Sequence, residues 1–294
     1  MSWQASVIAT GVISALAQIV GKRQVSKMGS FQSGVIRDGA TLILVMVILL
    51  FKGGIPTGLP WQAWVIFGVG LLESVSMALY FAAQRSEMAA TAVFSYPLSQ
   101  LLIILLSGVA FGEWKYFNVQ TTQGIINLVA LALSLALMIV YQGGKSQIKG
   151  KIRWSNALAI SAVIVALSNI ESKWAMAQLH YSPAHAMIYE YAGLLVGGLV
   201  YVKMRKQTLR IGWENVGWGT LQGLLYGISA LWYMALLTNY PLGISSVMRR
   251  VTIVLMTVTA GLWGWGEQRR LTWRQGLALS MGLIVFGLVM AVNR

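Results

Sequence analysis

Long apolar runs separated by short polar breaks fill this chain. At a rise of 1.5 Å per residue, a helix needs about 20 predominantly apolar residues to cross the hydrocarbon core of a bilayer. Runs of that length lie near residues 3–21, 33–51, 62–83, 89–110, 121–141, 154–178, 183–202, 213–237, 242–263 and 274–292. The strands of a membrane barrel would alternate apolar and polar side chains over ~10 residues, whereas the stretches 42–51 and 128–140 do not alternate. The pattern predicts an all-α integral membrane protein with ten transmembrane helices and short connections. Trp3, Trp61, Trp64, Trp114, Trp154, Trp174, Trp213, Trp263, Trp265 and Trp273 fall near run ends, where an amphipathic ring favours the membrane interface. Trp232 instead lies deep in the eighth run, and both core packing and a cavity wall are open for it.

Composition strengthens that picture. Hydrophobic residues make up 57% of the chain and charged residues 10%, against about 25% charged in soluble domains. That supply of polar groups cannot cover a soluble globule. The formal net charge of +14 would suggest nucleic acid for a soluble protein, but its distribution argues for loops beside anionic lipid, and no nucleic-acid partner is expected. Fifteen Lys and Arg fall in the odd-numbered connections: Lys22, Arg23, Lys27, Arg85, Lys145, Lys149, Lys151, Arg153, Lys203, Arg205, Lys206, Arg210, Arg269, Arg270 and Arg274. Only Lys52, Lys115 and Arg294 fall in even connections or at the ends. The positive-inside rule then predicts a multi-pass protein of the cell inner (plasma) membrane with both termini outside. No charged segment precedes the first run, so that span is expected to act as its own insertion signal. Cys is absent and His occurs twice, as His180 and His185. No metal or cofactor is expected.

The chain also repeats itself at an offset of 151 to 154 residues. Val12–Lys22 lies over Val163–Lys173 with six of eleven positions identical. Gly70-Leu71-Leu72 lies over Gly223-Leu224-Leu225, Ser76 and Tyr80 over Ser229 and Tyr233, Gly112-Glu113 over Gly266-Glu267, and Gln123-Gly124 over Gln275-Gly276. Two units follow, residues 1–148 and 149–294, each with five runs. Because five is odd, the second unit must enter the membrane inverted relative to the first. Inverted repeats are a transporter architecture, in which one half rocks against the other around a shared site.

These landmarks resemble the drug/metabolite transporter superfamily, and within it the EamA-type proteins built from two five-helix repeats. Lys22 and Lys173 match the family's Lys at the end of each first helix, Arg37 its Arg in the second helix, Pro97 its Pro in the fourth, and Glu113 and Glu267 its Glu closing the fourth. Glu190 stands where the second copy of the Arg would be, and Arg250 where the second Pro would be. The family's first-helix Trp has no counterpart between residues 8 and 19. Family members usually keep both termini in the cytoplasm, opposite to the charge count here. The resemblance implies a central cavity lined by helices one to four and six to nine, with five and ten outside.

Ionisable groups at membrane depth cost about 2.5–3.5 kcal/mol each on insertion scales, so they face a cavity or a partner. Glu73, Glu171, Lys173, Glu190, Arg249 and Arg250 are such groups. Arg249 and Arg250 point about 100° apart on a helix, so one is expected to face a cavity and the other to pair with Glu190 or Glu171. An Arg in a dry cavity suits a carboxylate or phosphate, while Glu73 suits an amine or a coupling proton. Glu73, Tyr80, Glu190, Trp232, Tyr233, Arg249 and Arg250 are the candidate solute-binding residues. Lys22 and Lys173 read as interfacial residues, Glu113 as a cap or loop anchor, and Gly219, Gly223 and Gly227 as a packing ridge. A secondary transporter, working as an exporter of an amino acid or related metabolite, is the leading reading. Proton-coupled efflux of a cationic drug is a second, and a non-transporting scaffold a third. An enzyme is disfavoured for want of a nucleophile and base, and an ATP-driven pump for want of a Gly-rich Gly-Lys-Ser/Thr loop. Monomer and homodimer are both open.

Overall fold

The computed structural model describes residues 2–28, 30–52, 54–55, 58–86, 88–143, 151–206, 212–260 and 273–292. Expectations placed on Lys145, Lys149, Arg210, Trp263, Trp265, Gly266, Glu267, Arg269, Arg270 and Arg294 lie outside these residues, as do those on the side chains of Pro97 and Trp154. The described chain is all-helical: α1 (Trp3–Lys27), α2 (Ser30–Phe51), α3 (Trp61–Ser86), α4 (Met88–Phe111), α5 (Thr122–Gly143), α6 (Lys151–Ala177), α7 (Pro183–Met204), α8 (Trp213–Leu237), α9 (Leu242–Ala260) and α10 (Trp273–Val292), with a short 3-10 turn at Glu113–Phe117.

The ends follow local chemistry. Ser2 caps α1 by accepting from the Ala5 amide at 3.3 Å. Ser182 caps α7 by accepting from the His185 amide at 3.2 Å, with Pro183 preset for the first turn. After Phe111 the chain leaves α4 through Gly112 at φ +67°, a left-handed conformation that glycine adopts without a Cβ clash.

Polarity is arranged inside out. Val109, Ile43 and Leu50 are 78%, 64% and 64% exposed, while Gln18, Arg37, Asp38, Glu73, Ser168 and Glu190 are buried. A surface of that kind is stable against lipid, not water. Among the described residues, five helices are long and apolar enough to cross a membrane: Trp3–Lys22, Phe31–Phe51, Trp61–Phe81, Pro183–Met204 and Trp213–Leu237. The protein is membrane-embedded.

Helix α1 packs on α8 and α9, α6 on α3 and α4, α2 on α7 and α8, α7 on α3, α4 on α9, and α5 on α10. Adding five to every helix number, counting round past ten, returns this same set of pairs. Individual contacts correspond too. A Cβ on Gly70 of α3 would strike the Glu190 carbonyl oxygen on α7, and one on Gly223 of α8 would strike the Arg37 carbonyl oxygen on α2. Ser76 donates to the Ser161 carbonyl at 3.2 Å, and Ser229 donates to the Thr10 carbonyl at 2.7 Å. The glycine ridge of α8 is a packing surface: Gly219 abuts Gln24 and Ile36, and Gly227 abuts Thr41 and Leu44.

Candidate solute cavity

A cavity of ≈ 120 Å³ sits among the helices, lined by residues of α1 to α4 and α6 to α9 and, among the described residues, by none of α5 or α10. Voids of this order admit small organic molecules. Glu73, Tyr80, Glu190, Tyr233, Arg249 and Arg250 all border it. Trp232 does not, which corrects one candidate. Tyr226, Ala230, Tyr233 and Met234 form the cavity face of α8; Met234 is rotated about 100° from Tyr233 towards Ala230 and Trp232 about 100° the opposite way, which turns the partly buried Trp232 away.

One wall is acidic. Glu73 lies ~18 Å along α3 from Trp61 and Glu190 two turns into α7. The Ser168 hydroxyl of α6 bridges them, 3.1 Å from Glu73 Oε2 and 3.1 Å from Glu190 Oε1. Neither carboxyl forms an ion pair with a described Lys or Arg. Small residues bring these helices together, since Gly70 lets α3 approach the α7 backbone at Glu190 itself.

Another wall is cationic. Arg249 Nη2 donates to Ser14 Oγ at 2.8 Å and to Ser229 Oγ at 3.0 Å. Ser14 and Ser229 are themselves 2.7 Å apart, and Ser229 spends its single proton on the Thr10 carbonyl. The hydroxyls therefore hand donation along one direction, from Arg249 through Ser14 and Ser229 to backbone. The guanidinium lies 4.3 Å from the Tyr233 ring centroid, within cation–π range, and its Nε has no hydrogen-bond partner. Arg250 donates through Nη1 to Ser99 Oγ at 2.5 Å and through Nε to Ser246 Oγ at 3.2 Å. The expected pairing of one of these arginines with Glu190 or Glu171 is not formed. Glu190 meets Ser168, and both Glu171 oxygens lack hydrogen-bond partners. Serine hydroxyls on α1, α4, α8 and α9 have taken the place of carboxylates.

A third charged group was legible only in part. Arg37 borders the cavity but is held by Asp38, which forms an ion pair with it and accepts from its Nε at 2.7 Å. The guanidinium is also sandwiched between Phe81 at 5.1 Å and Tyr226 at 4.9 Å. Asp38 is the single Asp of the chain and sits inside an apolar run; that isolation was the available signal. Ser14 and Ser168 gave none, because hydroxyls are common in membrane helices, and Ser229 stood out only as the repeat counterpart of Ser76.

Two charged residues near helix ends, Glu113 and Lys173, serve the turn that leads into α9. Glu113 accepts from the Leu242 amide at 2.8 Å and the Gly243 amide at 3.0 Å, so it caps α9, where a carboxylate suits the helix dipole. Lys173 is buried and donates to the Leu237 carbonyl at 2.5 Å and the Tyr240 carbonyl at 2.9 Å. It closes the C-terminus of α8 and is not the interfacial residue expected, because the orphan carbonyls of a helix end attract a cation more strongly than a distant headgroup layer.

No protein-family model matches the chain, and no curated protein sequence matches it. A solved structure described only as the crystal structure of a protein superposes on 98% of this chain and 97% of that chain, with a TM-score of 0.71 and 15% identity. The likeness concerns fold.

Proposed function

We propose that this protein is a secondary transporter, working as an exporter, for a small zwitterionic solute such as an amino acid or related metabolite. In this reading all ten helices span the plasma membrane, the two five-helix units are inverted repeats of EamA type, and the cavity opens alternately to either side. The carrying observation is charge imbalance within one cavity. Among the described residues Arg249 lacks a carboxylate partner, and Glu73 with Glu190 lacks a cationic one. Buried charges of opposite sign that do not neutralise each other suit a solute carrying both complements, a carboxylate for the guanidinium and an ammonium for the acids. The correspondence of Gly70 with Gly223 and of Ser76 with Ser229 supports two like-built halves.

Purified protein in proteoliposomes is expected to give saturable uptake of at least one member of a radiolabelled amino-acid panel. Arg249→Ala and Glu73→Gln should each lower that uptake about tenfold or more, the equivalent of losing one charge-assisted hydrogen bond. Wild-type rates in both variants would overturn the site. Flux of a lipophilic cation that competes with protons and persists in Arg249→Ala would favour drug efflux instead. A scaffold would show neither flux nor a ligand-dependent thermal shift.

A further inference from the structure

The turn between α8 and α9 is gripped from several sides. Lys173 of α6 donates to the Leu237 and Tyr240 carbonyls at 2.5 and 2.9 Å. Glu113 accepts from the Leu242 and Gly243 amides at 2.8 and 3.0 Å. Gln100 of α4 donates to the Gly243 carbonyl at 3.0 Å, and a Cβ on Gly243 would meet the Phe117 ring at 3.2 Å. Trp3 of α1 stacks on Tyr240 with ring centroids 4.9 Å apart. Glu113, Gln100, Phe117 and Trp3 lie within residues 1–148 and the turn within 149–294, so these four grips join one unit to the other. Beneath the turn, Met176, Met187, Leu237 and Leu242 are buried in one apolar cluster. The cavity lining stops about one helical turn short of this layer, at Ser172, Glu190, Met234 and Ser246. On the face that carries the start of α1, the cavity is shut.

We propose that Glu113 and Lys173 form a releasable clasp that holds the α8–α9 turn shut as a gate between the cavity and this face. The inference rests on the transport reading, in which contacts between the two units at one face must break for the cavity to open there. The chemistry suits repeated release. The end of α8 presents carbonyls and the start of α9 presents amides, so a cation and an anion complement the two helix ends. When the turn lifts, water takes the place of those backbone groups. Neither charge is then left buried and unpaired, which is the costly outcome. The clasp is also tied to the cavity. Leu242 lies ~10 Å from Arg249 along α9. Gln100 accepts from Ser246 at 2.7 Å, and Ser246 accepts from Arg250 Nε at 3.2 Å. The helix end that Glu113 holds is thus continuous with both cavity arginines. The sequence repeat sets Lys22 over Lys173 and Glu267 over Glu113, one such pair per unit, as two opposed gates would need.

The chain contains no Cys, so Ala230→Cys places a single thiol on the cavity wall. The full chain carrying it is reconstituted in proteoliposomes sorted for one orientation. A membrane-impermeant methanethiosulfonate ammonium reagent is then added from one face or the other, and the labelling rate is read by mass spectrometry. Labelling from the N-terminal face should be slow. Lys173→Met and Glu113→Gln should each speed it about tenfold or more, the loss of a charge-assisted grip. Labelling from the opposite face should fall in step, because opening one gate closes the other. Equal acceleration from both faces would overturn the clasp in favour of a loosened fold, and unchanged rates would overturn it outright. Where a charge is needed for folding, Trp3→Ala frees the same turn from α1 and must shift labelling in the same sense; no shift would also overturn the proposal. Saturable amino-acid flux with unaltered labelling would remove the clasp and keep the carrier. One-sided acceleration in a protein that carries no amino acid would keep the clasp and remove the amino-acid reading.

Discussion

Arg37 and Arg249 border the same cavity, and each lays its guanidinium over an aromatic ring. Their neighbourhoods differ in one respect. Arg37 has a carboxylate against it, from Asp38, and lies between Phe81 and Tyr226. Arg249 has only two serine hydroxyls and Tyr233, with Nε left over. A guanidinium that is neutralised inside the protein has little left to offer a solute, and its removal is felt in the fold. A guanidinium held by neutral dipoles keeps its charge outwardly available, so its removal is felt in binding. In the proposed transporter, position in the cavity does not separate a structural from a solute-facing arginine, but the charge of the partner does.

Breaking the neutral pair should have the largest effect. Asp38→Asn leaves the Arg37 charge buried without its counter-ion, and loss of one partner of a buried pair typically costs about 3–5 kcal/mol. Thermal unfolding of the purified variant should register that loss as a sharply lowered transition. Replacing both members together by Met and Leu should recover most of it, since apolar substitutes for a buried pair are often neutral. If Asp38→Asn melts like the wild type, the distinction between the two arginines fails.

A sharper comparison comes from the backbone beneath these side chains. Gly223 touches the Arg37 carbonyl and Gly70 the Glu190 carbonyl, so the fixed cationic pole and the acidic pole rest on corresponding glycines. Alanine at either position forces two helices apart, and overpacking of this kind costs about 1–3 kcal/mol. Gly70→Ala and Gly223→Ala should therefore destabilise the protein by similar amounts in the same unfolding experiment. A cost at one position and none at the other would count against two matched halves.

Much of this framework was legible in the sequence, and the reason is physical. Helix boundaries come from hydrophobic runs long enough to cross lipid and from breaks that are strongly polar. The limits of α8, Trp213–Leu237, coincide with the run at 213–237, and α7 begins at Pro183, where the run at 183–202 begins. The cavity residues were partly legible because charge at depth is expensive, which singled out Glu73, Glu190, Arg249 and Arg250. Pairing was not legible. Glu190 and Arg250 look like natural partners by charge, but partner choice depends on which faces meet in three dimensions, and there Ser168 and Ser99 intervene. Glu113 and Lys173 show the same limit, for their targets are backbone groups of the turn between α8 and α9, which carry no side-chain signature.

The smallest expected effect tests whether those hydroxyls matter. Ser229 donates to the Thr10 carbonyl and so can only accept from Ser14 and Arg249. Ser229→Ala removes one acceptor from the guanidinium and leaves the charge, the Tyr233 face and Ser14 in place. Such a hydrogen bond is worth about 0.5–1.5 kcal/mol, so solute affinity should fall about two- to tenfold in a binding titration. The unfolding transition should move far less than in Asp38→Asn. An affinity loss as large as that of Arg249→Ala would mean the serine positions the guanidinium and does not merely assist it. No loss at all would mean Tyr233 and Ser14 suffice to hold Arg249 towards the cavity. Either result ranks the neutral supports of Arg249 against the single ionic support of Arg37.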